Sequence, residues 1–157
     1  MKRTPQEEQI VTRMAPGALC AEGFLGSDGR SLDNILADDG HTVESLGLTH
    51  EHIADRLDGV MQAALAAFGN PVYVGDGLIA VARDAMGPIA CPWGGCGVFA
   101  KGEIELTDTR RGKTVVVTPL SVHLIRRHGF YQGKGARYRL EPSELAALLD
   151  VSPGDDT

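Results

Sequence analysis

The sequence lacks the long apolar runs, the many cysteines and the aromatic residues on which several protein classes depend. None of its apolar stretches, in 157 residues, approaches the roughly 20 residues that a membrane-spanning helix needs. The polar start, Met-Lys-Arg-Thr-Pro-Gln-Glu-Glu, is unlike a secretory signal. Three cysteines are too few for a disulfide framework, and an odd number cannot all be paired. These absences predict a soluble protein of the cytoplasm that does not associate with membranes.

Carboxylates are missing from one long stretch of an otherwise acidic chain. Residues 110–139 contain eight Lys and Arg residues and no Asp or Glu, although the whole chain carries a net charge of −6. An acidic chain argues against general nucleic-acid binding, because neutralisation of phosphates dominates that affinity. The stretch without acids still indicates a local surface that can face anions.

The residues that are present suffice for one globular domain, and the first part of the chain, residues 1–69, has helical patterns. Thr4-Pro5-Gln6-Glu7 combines a hydroxyl cap, an N-terminal proline and a glutamate three residues after the cap, which predicts a helix start. Ser31 predicts a second, short helix that Asp39-Gly40 ends. After Thr49, apolar residues recur at three- and four-residue steps, which predicts the longest helix.

The second part of the chain, residues 71–150, has the texture of short antiparallel strands. Two β-prone runs flank the turn Gly75-Asp76-Gly77, and residues 102–108 alternate apolar and polar before a returning strand over 113–118. We therefore expect an α+β fold in which a helical part packs on a small antiparallel β/α part. We expect these parts to form a single domain over residues 1–150, followed by a frayed tail over residues 151–157.

Two cysteines and two histidines in the second part have spacings typical of a zinc site. Cys91-Pro-Trp-Gly-Gly-Cys96 is a glycine-rich loop, and His123-Leu-Ile-Arg-Arg-His128 lies at the end of a predicted helix that Thr118-Pro119 begins and Gly129 ends. Thiolates and imidazoles are preferred ligands of Zn²⁺, and four of them close a tetrahedron. Two thiolates also cancel the charge of the ion. The sequence therefore predicts one structural Zn²⁺ per chain, held by Cys91, Cys96, His123 and His128.

This ligand order resembles the ββα zinc finger of the two-cysteine, two-histidine type over residues 91–128. The resemblance implies a cysteine turn, a two-stranded hairpin and a helix that carries the histidines. The 26 residues between Cys96 and His123 are about twice the usual ~12, and longer hairpin strands over 98–108 and 113–118 would absorb the excess. Residues five apart on an α-helix point roughly 140° apart, so we expect the last helical turn to be distorted.

Each ligand candidate also has a plainer interpretation. Cysteines often only fill space in a core, His123 lies beside apolar residues, and a histidine at position 128 interacts favourably with the negative end of a helix. A protein that holds no metal therefore remains an alternative. A metal- or thiol-dependent enzyme centred on Cys91 and Cys96 is a second alternative, although redox loops use Cys-x-x-Cys spacing and no residue is identified that would orient a catalytic pair. The sequence thus leaves enzymatic activity open and favours a binding role.

A basic segment over residues 126–139 offers the candidate binding surface. Its cations and aromatic residues are Arg126, Arg127, Tyr131, Lys134, Arg137, Tyr138 and Arg139. Such residues can hold a phosphate or stack on a base, so we expect the zinc region to present them to an acidic protein or a phosphate-bearing partner, with nucleic acid less favoured. The alternative is a solvated loop, or a basic face that pairs with the acidic first half of the same or another subunit, which would allow a homo-oligomer.

Overall fold

The computed structural model describes residues 4–150, and within them it contains five helices and six strands. The helices are α1 (Pro5–Met14), α2 (Leu32–Ser45), α3 (His50–Ala66), α4 (Pro119–His128) and α5 (Pro142–Leu149). The strands are β1 (Val72–Gly75), β2 (Leu78–Arg83), β3 (Pro88–Ala90), β4 (Val98–Ala100), β5 (Glu103–Asp108) and β6 (Lys113–Val117). All strand pairs are antiparallel, which confirms the α+β fold. The single-domain assignment stays a prediction, and the predicted frayed tail lies outside the described residues.

The strands form two separate antiparallel sheets. The larger sheet has the order β1-β2-β5-β6, and the smaller one pairs only β3 with β4. Along β5, Ile104, Leu106 and Asp108 are buried while the residues between them are half-exposed, because successive side chains of a strand point to opposite faces. The chain thus leaves the large sheet after β2, makes the small hairpin and returns to the large sheet at β5.

Helix α4 lies between two apolar cores. Its residues Val122 and Ile125 belong to a core built mainly from α3, the large sheet and α5. Its residues Leu120 and Leu124 belong to a second core that includes α1, the start of α2 and the β3–β4 hairpin. Because α4 contributes side chains to both cores, apolar contacts on two sides of the helix hold it in position.

Local signals place the ends of most helices where the sequence predicts them. The hydroxyl of Thr4 accepts a hydrogen bond from the Glu7 amide, and the Glu7 side chain accepts one from the Thr4 amide. Thr118 makes the same kind of reciprocal cap with Ser121 at the start of α4. The left-handed Gly129 (φ 61°) follows α4, as expected for a glycine at a helix end. The predicted starts of α1 and α4 are therefore confirmed.

The predicted break at Asp39-Gly40 is wrong, because α2 runs without interruption from Leu32 to Ser45. Glycine in a helix interior costs only about 1 kcal/mol, and long-range contacts override that cost here. Asp39 is buried, and both of its carboxylate oxygens accept hydrogen bonds from the Arg139 guanidinium. A residue 100 positions away in the sequence therefore stabilises the helix at the point where local propensity predicts its end.

None of the helices within residues 4–150 is both long and apolar enough to cross a bilayer.

Candidate metal centre

The four predicted ligands converge on one point of the fold. One donor atom each of Cys91, Cys96, His123 and His128 lies within 4.8 Å of the other three. No other group of three or more cysteine, histidine or acidic residues meets this criterion within the described part of the chain. Residues from two distant stretches of sequence are thus brought together with the composition of a Cys2His2 metal site.

The cysteines lie in the loop that joins β3 to β4, and glycines give this loop its shape. Gly94, Gly95 and Gly97 have φ values of 81°, 70° and 83°, in the left-handed region that other residues rarely adopt. The Gly94 amide donates a hydrogen bond to the Cys91 carbonyl at 3.0 Å and closes a turn. The chain therefore doubles back, so that both thiols face α4.

The histidines approach the thiols from α4 at distances suited to a shared ion. Nε2 of His128 lies 3.5 Å from Sγ of Cys91 and 3.7 Å from Sγ of Cys96. In a tetrahedral zinc site, a sulfur and a nitrogen ligand are about 3.6 Å apart, given Zn–S and Zn–N bonds of about 2.3 and 2.0 Å. Helix α4 continues as a regular helix through His128, so the predicted distortion of its last turn is not observed. The side chains of His123 and His128 instead reach toward a common point from different directions around the helix axis.

Aromatic rings cover both histidines. The Trp93 ring stacks on the His128 ring with centroids 4.1 Å apart and an interplanar angle of 6°. The Phe99 ring lies against His123, with centroids 4.5 Å apart. Cys91 is buried, with 1% of its surface exposed, and the other three ligands are half-buried. The site is consequently shielded on several sides from water.

Helix α1 also holds the cysteine loop in place. The guanidinium of Arg13, in the last turn of α1, donates hydrogen bonds to the carbonyl oxygens of Pro92 and Trp93. These carbonyls lie between the two cysteines in the sequence. Sequence reasoning missed this contact because nothing near Arg13 marks its partner, which is about 80 residues away. The loop is therefore fixed by α1, by the stacked tryptophan and by the ligand cluster.

The electrostatic environment of the cluster suits a divalent cation. Burial lowers the pKa of His128 to about 4, with His123 and Arg127 nearby adding to the effect, and burial also lowers the pKa of His123. Both rings are therefore neutral at pH 7, which is the form that binds metals. Burial and the neighbouring Cys96 raise the pKa of Cys91 to about 11, so a nearby cation is needed to hold its thiolate at neutral pH.

One atom of the cluster is left without a partner. Nε2 of His123 is buried and makes no hydrogen bond within the described residues, although buried polar atoms are almost always satisfied. A metal ion would supply the missing partner and the positive charge that two thiolates require. The residues present therefore fit a bound divalent metal ion.

The structure does not show the predicted ββα finger. The loop that carries Cys91 and Cys96 joins β3 to β4, and the predicted strand over 98–108 is broken at Lys101-Gly102 into β4 and β5. Strands β5 and β6 form the predicted hairpin, but β5 also pairs with β2, and this pairing makes the hairpin part of the large sheet. The long insert between the ligand pairs is therefore a structural part of the other sheet and not an extension of a finger.

The predicted basic surface is largely paired or buried. Tyr131 is 1% exposed and belongs to the first core. The Arg139 side chain is 7% exposed, and it forms a buried ion pair with Asp39. The prediction that Tyr131 and Arg139 belong to an exposed binding surface is therefore wrong, because both side chains lie in the protein interior. The sequence offers pairing with the acidic first half of the same chain as the alternative for this segment, and the Arg139–Asp39 ion pair is of that kind.

The other members of the segment divide into two groups. Arg126 pairs with Asp55, Arg137 pairs with Glu22 and Glu103, and the Tyr138 hydroxyl donates to Glu103. Arg127 and Lys134 are exposed, and their side chains make no ion pair within residues 4–150. Two of the seven predicted residues thus remain available to a partner.

Comparison of the chain with protein-family models, with curated proteins and with solved structures finds no significant match in any of the three. The group of two cysteines and two histidines that could hold a metal ion is therefore the feature from which a function can be inferred.

Proposed function

We propose that the protein binds one Zn²⁺ ion through Cys91, Cys96, His123 and His128, and that the ion has a structural role. The observation that carries the proposal is the convergence of two thiols and two imidazoles within 4.8 Å. Soft thiolate ligands together with imidazoles in a four-membered set favour zinc over magnesium, calcium or manganese. The charges of two thiolates and one divalent cation add to zero, and a site without net charge is more easily shielded from water.

A structural role follows from the number of ligands and from their surroundings. Four protein ligands complete a zinc tetrahedron, whereas catalytic zinc sites keep a position for water or substrate. Trp93 and Phe99 cover the two imidazoles, which limits access further. The ion would join the β3–β4 hairpin to α4, and this hairpin has only three residues in each strand. An isolated two-stranded hairpin is at best marginally stable, so the ion would add a cross-link to the apolar contacts that Ile89 and Phe99 make with the second core.

The first experiment measures metal content in protein purified without an affinity tag. We expect one zinc per chain in the wild type and in Cys20→Ser, and a loss of zinc in Cys91→Ser. Cys20 is a suitable control because it is a half-buried free cysteine that is not part of the ligand cluster. Equal zinc content in the two variants, or no zinc in the wild type, would refute the proposal.

A second experiment separates a closed structural site from an open catalytic one. Cobalt is introduced in place of zinc, and the visible absorption bands of a tetrahedral Co²⁺ thiolate site are recorded with and without added thiocyanate. A closed site predicts a spectrum that thiocyanate does not change. A spectrum that shifts on addition of the anion would reveal an exchangeable position and would favour the alternative of a metal-dependent enzyme.

We further propose that the region fixed by zinc binds an acidic or phosphorylated partner through Arg127 and Lys134. The support is that these two exposed cations of the basic segment make no ion pair within residues 4–150. Retention on immobilised heparin at low salt, compared between the wild type and a double Arg127→Gln, Lys134→Gln variant, tests the proposal. Equal retention of both proteins, or no retention of either, contradicts it.

A further inference from the structure

A second candidate site is a cavity that shares no residue with the metal cluster. Its volume is about 230 Å³, and it is partly open to solvent. Its apolar wall includes Phe24, Ile89 and Leu120, which also belong to the second core. A cavity of about 150 Å³ accommodates benzene, so this cavity has room for a single ring with a small substituent.

Gln132 gives the cavity a polar group that the fold does not use. This residue lines the cavity and is 4% exposed, and its side-chain oxygen is buried with no hydrogen-bond partner within the described residues. A buried amide oxygen without a hydrogen-bond partner destabilises a folded protein, so its presence at this position calls for an explanation. The two ends of an amide are interchangeable by rotation about its terminal bond, so Gln132 can both accept from and donate to a ligand.

The backbone of Gln132 is also unusual and is held in place from two sides. Its φ is 70°, and residues other than glycine at positive φ are uncommon and concentrate at functional sites. The Arg139 guanidinium donates a hydrogen bond to the Gln132 carbonyl at 2.7 Å. The next amide, of Gly133, donates to the Phe24 carbonyl at 2.9 Å. The fold therefore maintains a strained residue at the cavity and fixes its position relative to the apolar wall.

The charges around the cavity balance and so favour an uncharged occupant. The lining contains two cations, Lys101 and Arg137, and two carboxylates, Glu22 and Glu103. Arg137 bridges both carboxylates, at 3.5 Å and 3.4 Å, and thereby neutralises part of the rim internally. A charged ligand would have to displace these contacts, whereas a neutral one would not.

We propose that this cavity binds a small, uncharged, mainly apolar molecule of about one ring, which carries a hydroxyl or N–H group that hydrogen-bonds to the Gln132 amide. The apolar part of the molecule lies against Phe24, Ile89 and Leu120. This binding function goes beyond the metal centre and does not depend on the identity of the metal.

The test compares p-cresol with toluene, which have nearly the same shape and differ by one hydroxyl. Binding to zinc-loaded, isotope-labelled protein is followed by NMR titration. We expect saturable binding of p-cresol that is roughly three- to tenfold tighter than that of toluene, as one net hydrogen bond provides. We also expect intermolecular NOEs between p-cresol and the methyl groups of Ile89 and Leu120.

Two variants test the role of the amide. Gln132→Met keeps the length of the side chain and removes its polar end, so the preference for p-cresol should disappear. Gln62→Met, at an exposed position on α3, is the matched control and should keep the preference. If Gln132→Met does not fold, the NOEs and the p-cresol preference of the wild type decide the question.

Several outcomes overturn this proposal without touching the zinc proposal. They are the absence of saturable binding, NOEs that place p-cresol elsewhere, equal affinities for the two probes in the wild type, and an unchanged preference in a folded Gln132→Met. Zinc content is measured in every sample, so that a loss of metal is recognised as a separate failure.

Discussion

Replacement of Arg139 by leucine would test whether this residue stabilises the fold or serves a binding surface. The guanidinium donates to both carboxylate oxygens of Asp39, to Glu141 and to the Gln132 carbonyl. Although burial opposes its charge, the hydrogen bonds to Asp39 and Glu141 raise the pKa of Arg139 above its ordinary value. The Arg139 guanidinium is therefore charged in the folded protein at neutral pH.

The expected magnitude follows from what Arg139→Leu leaves behind. Asp39 is 4% exposed, so its carboxylate would be buried without a counter-ion. Removal of one member of a buried ion pair costs about 3–5 kcal/mol in the free energy of unfolding. The double variant Asp39→Leu, Arg139→Leu removes both charges and should regain most of this loss, because a buried pair replaced by apolar residues is often neutral.

Urea denaturation of four proteins measures these differences. The control is Arg126→Leu, which breaks the pair with Asp55, whose two side chains are 39% and 54% exposed. Such exposed pairs contribute about 0–1 kcal/mol. The structural role assigned to Arg139 would be wrong if Arg139→Leu and Arg126→Leu lowered the free energy of unfolding equally. It would also be wrong if the double variant were less stable than Arg139→Leu.

Two further predictions concern pH and the metal loop. Hydrogen bonds from the Arg30 side chain hold the pKa of Asp28 well below its ordinary value, so the stability this carboxylate contributes is present above about pH 4 and is lost as the pH falls further. Denaturation curves at pH 7 and pH 3 should therefore show a smaller acid loss in Asp28→Asn than in the wild type, whereas the exposed control Asp84→Asn should behave like the wild type. Arg13→Gln removes the hydrogen bonds that hold the cysteine loop and should lower zinc affinity by about tenfold in competition with a chromophoric chelator. Arg83→Gln on an exposed strand end should leave the affinity unchanged, and an equal effect of both variants would argue against a positioning role for Arg13.

The parts of the fold that sequence reasoning predicted are those with local causes. Thr4 and Glu7 satisfy each other within one turn of α1, and the start of α3 depends on a Thr49 cap beside it. The four candidate metal ligands could also be identified from the sequence, because residue types and their spacing alone indicated them. The glycines of the cysteine loop supplied a further local signal, since their positive φ values allow the two thiols to face one way.

The parts that sequence reasoning missed depend on contacts between distant segments. Residues 126–139 look like an uncompensated basic stretch, but most of their carboxylate partners lie far away in the chain, as Asp39 does for Arg139. The same pair explains why α2 continues through Gly40. The break of the predicted 98–108 strand is likewise non-local, because β4 has β3 as its partner while β5 has β2. Local pattern cannot distinguish these two pairings.

The β5–β6 hairpin lies between the two pairs of candidate ligands, and its position bears on how candidate metal sites of this kind are recognised in sequences. Doubling the length of a connecting segment adds only about 0.6 kcal/mol to the entropic cost of closing it, and a segment that folds as part of a sheet brings its own ends together. Natural selection can therefore lengthen the spacer between paired ligands at little thermodynamic penalty, provided that the added residues have a place in the remaining architecture. A search pattern with a fixed spacer of about twelve residues would pass over this chain, whereas one that constrains the two short pairs and leaves the interval free would retrieve it.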